Sequence, residues 1–112
     1  MSLPQDAQLL RVFIGEQDKF DGKPLYEALV LEARRLGLAG ATVYRGVLGY
    51  GANSVVHTDK ILRLSQSLPV VVEIVDTPEK IEAFLPLLDE MMQEGMATLE
   101  KARVITYRHK KA

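Results

Sequence analysis

The chain has 112 residues, 14 basic and 15 acidic side chains, a formal net charge of −1 and no cysteine. That length fits one domain, and the balanced charge gives no support to a nucleic-acid partner, which normally needs a basic face. Without thiols the chain has neither a disulfide framework nor a thiolate zinc site.

No run approaches the ~18 consecutive apolar residues of a membrane span. The opening MSLPQDAQ lacks the basic and apolar regions of a signal peptide, so a cytoplasmic protein is expected that is not itself a membrane protein. A single domain over 1–112 is expected, with 1–7 and 109–112 as flexible ends. The basic run Arg108 to Lys111 reads as a solvated terminus.

QLLRVFIG, Gln8 to Gly15, reads as the first strand. Leu10, Val12 and Ile14 alternate there with Leu9, Arg11 and Phe13, so both faces are largely apolar. EQDKFDGK reads as a loop by its Asp and Gly content. Pro24 suits the first position of a helix, where its missing N–H costs nothing. PLYEALVLEARRLG sets Leu25, Ala28, Leu29, Ala33 and Leu36 on one side, and Gly37 marks its stop. LAGATVYRGVLGY returns as a strand rich in β-branched and aromatic residues.

The pattern dissolves in ANSVVHTDK and recovers weakly in ILRLS, before PVVVEIVD, Pro69 to Asp76, the most strand-like run of the chain. Thr77 caps a second helix, with Pro78 at its first position and Glu79 favourable to the helix dipole. Ile81, Phe84, Leu85, Leu88, Met91 and Met92 form its apolar stripe, and Pro86 is expected to kink it near its first turns. EGMATLEKARVITYR supplies a turn and a last strand through Val104 to Tyr107.

The resulting β-α-β-β-α-β order is an α+β, ferredoxin-like sandwich: a four-stranded antiparallel sheet with two helices on one face. On the helix-free face Val71, Val75, Ile105 and Tyr107 form an apolar patch that should be covered, most simply by another copy of the chain. A homo-oligomer is therefore expected. Glu73 on that face is expected to pair with Arg103 or Arg11 across a subunit boundary.

Catalytic groupings are sparse. The histidines are His57 and His109, and the neighbours Ser54, His57 and Asp59 on one loop do not converge on a centre. His57 with Asp59 offers too few ligands for a metal, and Met91 and Met92 read as core. Nothing argues for an enzyme, so a non-enzymatic protein is expected. In GVLGYG, the glycines Gly46, Gly49 and Gly51 reverse the spacing of a dinucleotide fingerprint and precede a loop instead of a helix. No Gly-Lys-Ser/Thr follows either. Such glycines either bend the strand or expose backbone N–H groups to a ligand.

GKPLYEA, LAGATVYRG and GYGANS resemble a family of small bacterial and archaeal proteins carrying a domain of unknown function and related in structure to the PII signalling proteins. The resemblance runs from about Leu9 to Tyr107. It implies a PII-like trimer that binds a small ligand between subunits and acts through a loop on a transporter or enzyme. Thr42 is similar to a threonine near the adenine, and Gly49, Tyr50 and Gly51 to the Gly-aromatic-Gly at the loop base. Ala52 to Leu62 would be the loop, with Ala52, Asn53, Ser54, His57, Asp59 and Lys60 available to a partner.

PII proteins carry a glycine- and lysine-rich phosphate loop after the second helix. EGMATLEK keeps of it only Gly95 and Lys101, while Thr106 and Arg108 stand near the place of paired arginines. The implied ligand set is thus Thr42, Gly49, Tyr50, Gly51, Lys101 and Arg108, and the implied ligand an adenine nucleotide (AMP, ADP, ATP or a cyclic nucleotide). The missing phosphate loop points to something smaller or less charged than a triphosphate, or to no ligand. The alternative is a structural trimer like the CutA proteins, without nucleotide.

Overall fold

The computed structural model describes residues 5–50 and 68–110. Gly51 and the expected partner loop, with Ala52, Asn53, Ser54, His57, Asp59 and Lys60, lie outside the described residues. The elements in chain order are β1 (Gln5–Gly15), the short pair β2 (Lys19–Phe20) and β3 (Lys23–Pro24), α1 (Leu25–Arg35), β4 (Ala41–Arg45), β5 (Pro69–Asp76), α2 (Pro78–Met91) and β6 (Met96–Val104).

Four strands form one sheet in the order β4-β5-β1-β6, and every neighbouring pair is antiparallel. This is the ferredoxin-like arrangement expected from the sequence. Alternation along the two central strands builds the core: Leu10, Val12 and Ile14 of β1 and Val70, Val72 and Ile74 of β5 pack under Leu25, Leu29, Ile81, Phe84, Leu88 and Met91 of the helices. Both helices therefore lie on one face, and the odd-numbered residues of β1 and β5 are left on the other.

Local signals explain the boundaries. Asp21 and Gly22 both have positive φ, 53° and 80°, as the two central residues of a tight type I′ hairpin turn require. EQDKFDGK is thus a loop that contains a small hairpin. Pro24 precedes α1 as its N-cap instead of occupying its first turn. At the other end, Gly37 (φ 76°) reverses the chain. Its N–H donates to the Arg34 carbonyl and the Leu38 N–H to that of Ala33, both at 3.0 Å, the paired bonds of a Schellman stop. The Thr77 hydroxyl accepts from the Lys80 N–H at 3.4 Å, and α2 runs unbroken through Pro86 to Met91.

The last strand differs from expectation. It begins at Met96, within the stretch read as a turn, and ends at Val104, so Ile105 to Tyr107 lie beyond it. Ile105 is 75% exposed, while the Tyr107 hydroxyl donates to the Ala39 carbonyl at 3.5 Å. These two residues therefore do not belong to the apolar patch of the free face, whose real members come from β1, β4, β5 and the start of β6.

Candidate functional site

The strand register lays out the helix-free face in rows. Thr42, Glu73, Arg11 and Thr98 stand side by side across the four strands. One row nearer the Pro69 end lie Tyr44, Val71, Phe13 and Met96; one row the other way lie Val75, Leu9 and Glu100. Arg11 Nε donates to Glu73 Oε2 at 2.9 Å, and its Nη1 pairs with Glu100. Glu73 thus finds Arg11 within its own chain, and no subunit boundary is needed to satisfy it; Arg103 sits opposite Asp6 instead. The Glu73 hydrogen bond, opposed by desolvation and aided by the Glu100 charge, raises the pKa of the Arg11 guanidinium.

The glycines after β4 have a packing reason. The Gly46 N–H donates to the Pro69 carbonyl at 2.7 Å, and the Glu16 N–H to that of Leu68 at 2.8 Å. Arg45 pairs with Glu16 beside them. A Cβ on Gly46 would stand 2.7 Å from Pro69 Cγ and 3.3 Å from its carbonyl oxygen, and one on Gly49 would stand 3.1 Å from Cγ. Both glycines let the departing chain lie against the Pro69 ring. Gly46→Ala is therefore expected to lower stability by about 1 kcal/mol, seen as a lower urea midpoint. An unchanged midpoint would remove the packing account.

The five described residues of the expected ligand set do not form one pocket in a single chain. Tyr50, 73% exposed, lies past the Pro69 end of the sheet. Thr42 lies near the other end of β4, opposite Glu73. Arg108 follows Tyr107, which reaches Ala39 just before β4. Lys101 lies inside β6, paired with Gln8, and alternation turns it to the helix side. Since β4 and β6 are the two edges of the sheet, Thr42 and Lys101 are three strand spacings apart and offset by three residues along the strands, roughly 18 Å in all, and on opposite faces.

Sequence reading passed over two features. A shallow groove of about 440 Å³ runs between the end of α2 and the start of β6, with Leu85, Asp89, Met92, Gly95 and Ala97 among its walls. Asp76, 3% exposed, accepts from the Ala39 N–H at 2.8 Å and the Thr77 N–H at 2.7 Å. It ties the α1–β4 connection to the start of α2, a structural task. Among the described residues no group of three or more His, Cys, Asp or Glu is placed to hold a metal ion, and no helix is long and apolar enough to cross a membrane.

With this geometry in hand, comparison with known proteins places the chain. The model of the DUF190 family, described as uncharacterised ACR, matches residues 7–104. The chain belongs to that family. A UPF0166 protein of Aquifex aeolicus (strain VF5) is 45% identical over 98 residues, covering 88% of this chain and 92% of that protein. A UPF0166 protein of Methanocaldococcus jannaschii is 42% identical over 89 residues, covering 80% and 82%. Among solved structures, a protein of Thermus thermophilus described as PII-like matches with a TM-score of 0.65 at 20% identity, over 89% of this chain and 90% of that one. CPII from Thiomonas intermedia K12, bound to ADP and bicarbonate, matches with a TM-score of 0.58 at 15% identity, over 89% of each chain. This DUF190 chain therefore has the PII-like fold.

Proposed function

We propose that this DUF190 protein is a non-enzymatic, PII-like regulatory protein. Copies assemble as a trimer through the helix-free sheet faces and bind an adenine nucleotide at the clefts between them, and the segment from Ala52 to Leu62 carries the response to a partner such as a transporter or enzyme. One observation carries this reading: Thr42 and Lys101 stand on opposite edges and opposite faces of the sheet, too far apart to serve one ligand from within a chain, so the set becomes a site only when copies meet. The likeness of fold to CPII, bound to ADP in one structure and to ADP and AMP in another, supports the choice of an adenine nucleotide. The response follows if the ligand favours one state of the loop over another, since a ligand shifts only equilibria between states it binds unequally.

A structural trimer without nucleotide is the second reading, favoured by one fact. Gly46 and Gly49 are accounted for by their contact with Pro69 and need no ligand. Isothermal titration of the wild type with ATP, ADP, AMP and cyclic nucleotides separates the two. Saturable heat with at least one of them is expected, strongest for the mono- and diphosphates because the glycine- and lysine-rich phosphate loop is missing. No heat with any of them at millimolar concentration overturns the nucleotide site and leaves the structural reading.

A further inference from the structure

The helix-free face is not uniformly apolar. Its Tyr44–Val71–Phe13–Met96 row and its Val75–Leu9 pair are separated by the charged and polar row Thr42–Glu73–Arg11–Thr98. The charges of that row are already satisfied: Arg11 bridges Glu73 and Glu100, from strands on either side of it. A face whose charges are paired internally offers little to a highly charged partner, while its apolar rows favour a surface of the same kind. Four strands at their usual spacing and about eight residues of length give roughly 500 Å² per copy. Two such faces bury about 1,000 Å², the lower bound for a stable contact. The occupant that fits is a second copy of this chain.

Apolar rows alone do not fix how two sheets slide past each other, because hydrophobic burial is non-directional. An ionic row does, since desolvating charges against an apolar row is costly unless their remaining hydrogen-bonding groups meet polar atoms. We propose that Arg11, Glu73 and Glu100 act as a register lock, confining the packing of copies on this face to one arrangement. The lock rests on the reading of this face as the contact between copies. Its role is selection among arrangements, and its contribution to affinity is small or unfavourable.

Sedimentation velocity and native mass spectrometry of the wild type, of Arg11→Met and of the triple variant Arg11→Met/Glu73→Leu/Glu100→Leu test the lock. Circular dichroism melts report whether each variant stays folded. The wild type is expected to form one species. Arg11→Met leaves two carboxylates facing each other without their cation, and its association should weaken at least tenfold. The triple variant removes every charge of the lock, and should associate at least as tightly as the wild type but as two or more species. A folded triple variant that forms the same single species as the wild type overturns the lock and leaves the contact between copies standing. A wild type that stays monomeric to high micromolar concentration overturns that contact, and the lock with it.

Discussion

Gly95→Ala should lower the unfolding free energy by about 3 kcal/mol, the joint cost of a strained backbone and a collision in the core. Gly95 joins α2 to β6 with φ 120°, a region that side chains avoid. A Cβ there would stand 2.5 Å from the Phe13 carbonyl oxygen and 2.9 Å from Met92 Cε. The methionine can move, but the carbonyl belongs to the central strand β1 and cannot move without disturbing the sheet. Urea denaturation read by circular dichroism checks this, and a fall in melting temperature of about 10 °C or more should accompany it. A loss under about 1 kcal/mol would show that the α2–β6 turn is free to shift away from β1. The expected loss gives this glycine of the implied phosphate loop a structural task in the described fold.

Asp76→Ala is the second large effect, about 3 kcal/mol, because two N–H groups lose their shared acceptor in a site with little access to water. The Ala39 N–H and the Thr77 N–H lie on different connections, so the loss loosens the entry to β4 and the start of α2 together. Asp76→Asn keeps one acceptor oxygen but presents an NH2 group to the second donor. It should therefore recover only part of the loss. Equal stability of Asn and Asp at this position, by the same urea titration, would mean that one of the two bonds contributes nothing.

The parts of the fold most legible in the sequence were those whose side chains report burial. β5 alternates buried and half-buried residues along its whole length, and the stripe of α2 with its Thr77 cap left little choice of period. β6 was misplaced for the opposite reason. As an edge strand it carries Glu100, Lys101 and Arg103 among small and apolar residues, and most of its positions are exposed. Its alternation is therefore faint, and the apolar ITY beyond it drew the strand too far along. The Asp-Gly turn of the β2–β3 hairpin was a readable signal, lost because two-residue strands bury nothing. For the candidate site, sequence supplied residue types and a resemblance but no distances. It named Arg11 as a partner of Glu73 but set the pair across a boundary, because spacing along a chain says nothing about which strands become neighbours. That Gly46 and Gly49 rest on Pro69, about twenty residues further on, follows only from the pairing of β4 with β5.

The claim that copies jointly build the ligand site is tested most directly by mixing two defective chains. One carries Thr42→Val, the other Lys101→Ala. Each alone should lose nucleotide binding in calorimetry. After unfolding and refolding together in equal amounts, about a quarter of the sites should combine an intact side from each chain and bind with wild-type affinity. A mixture that binds nothing, although each variant folds and assembles, would contradict the account and place any nucleotide site within a single chain.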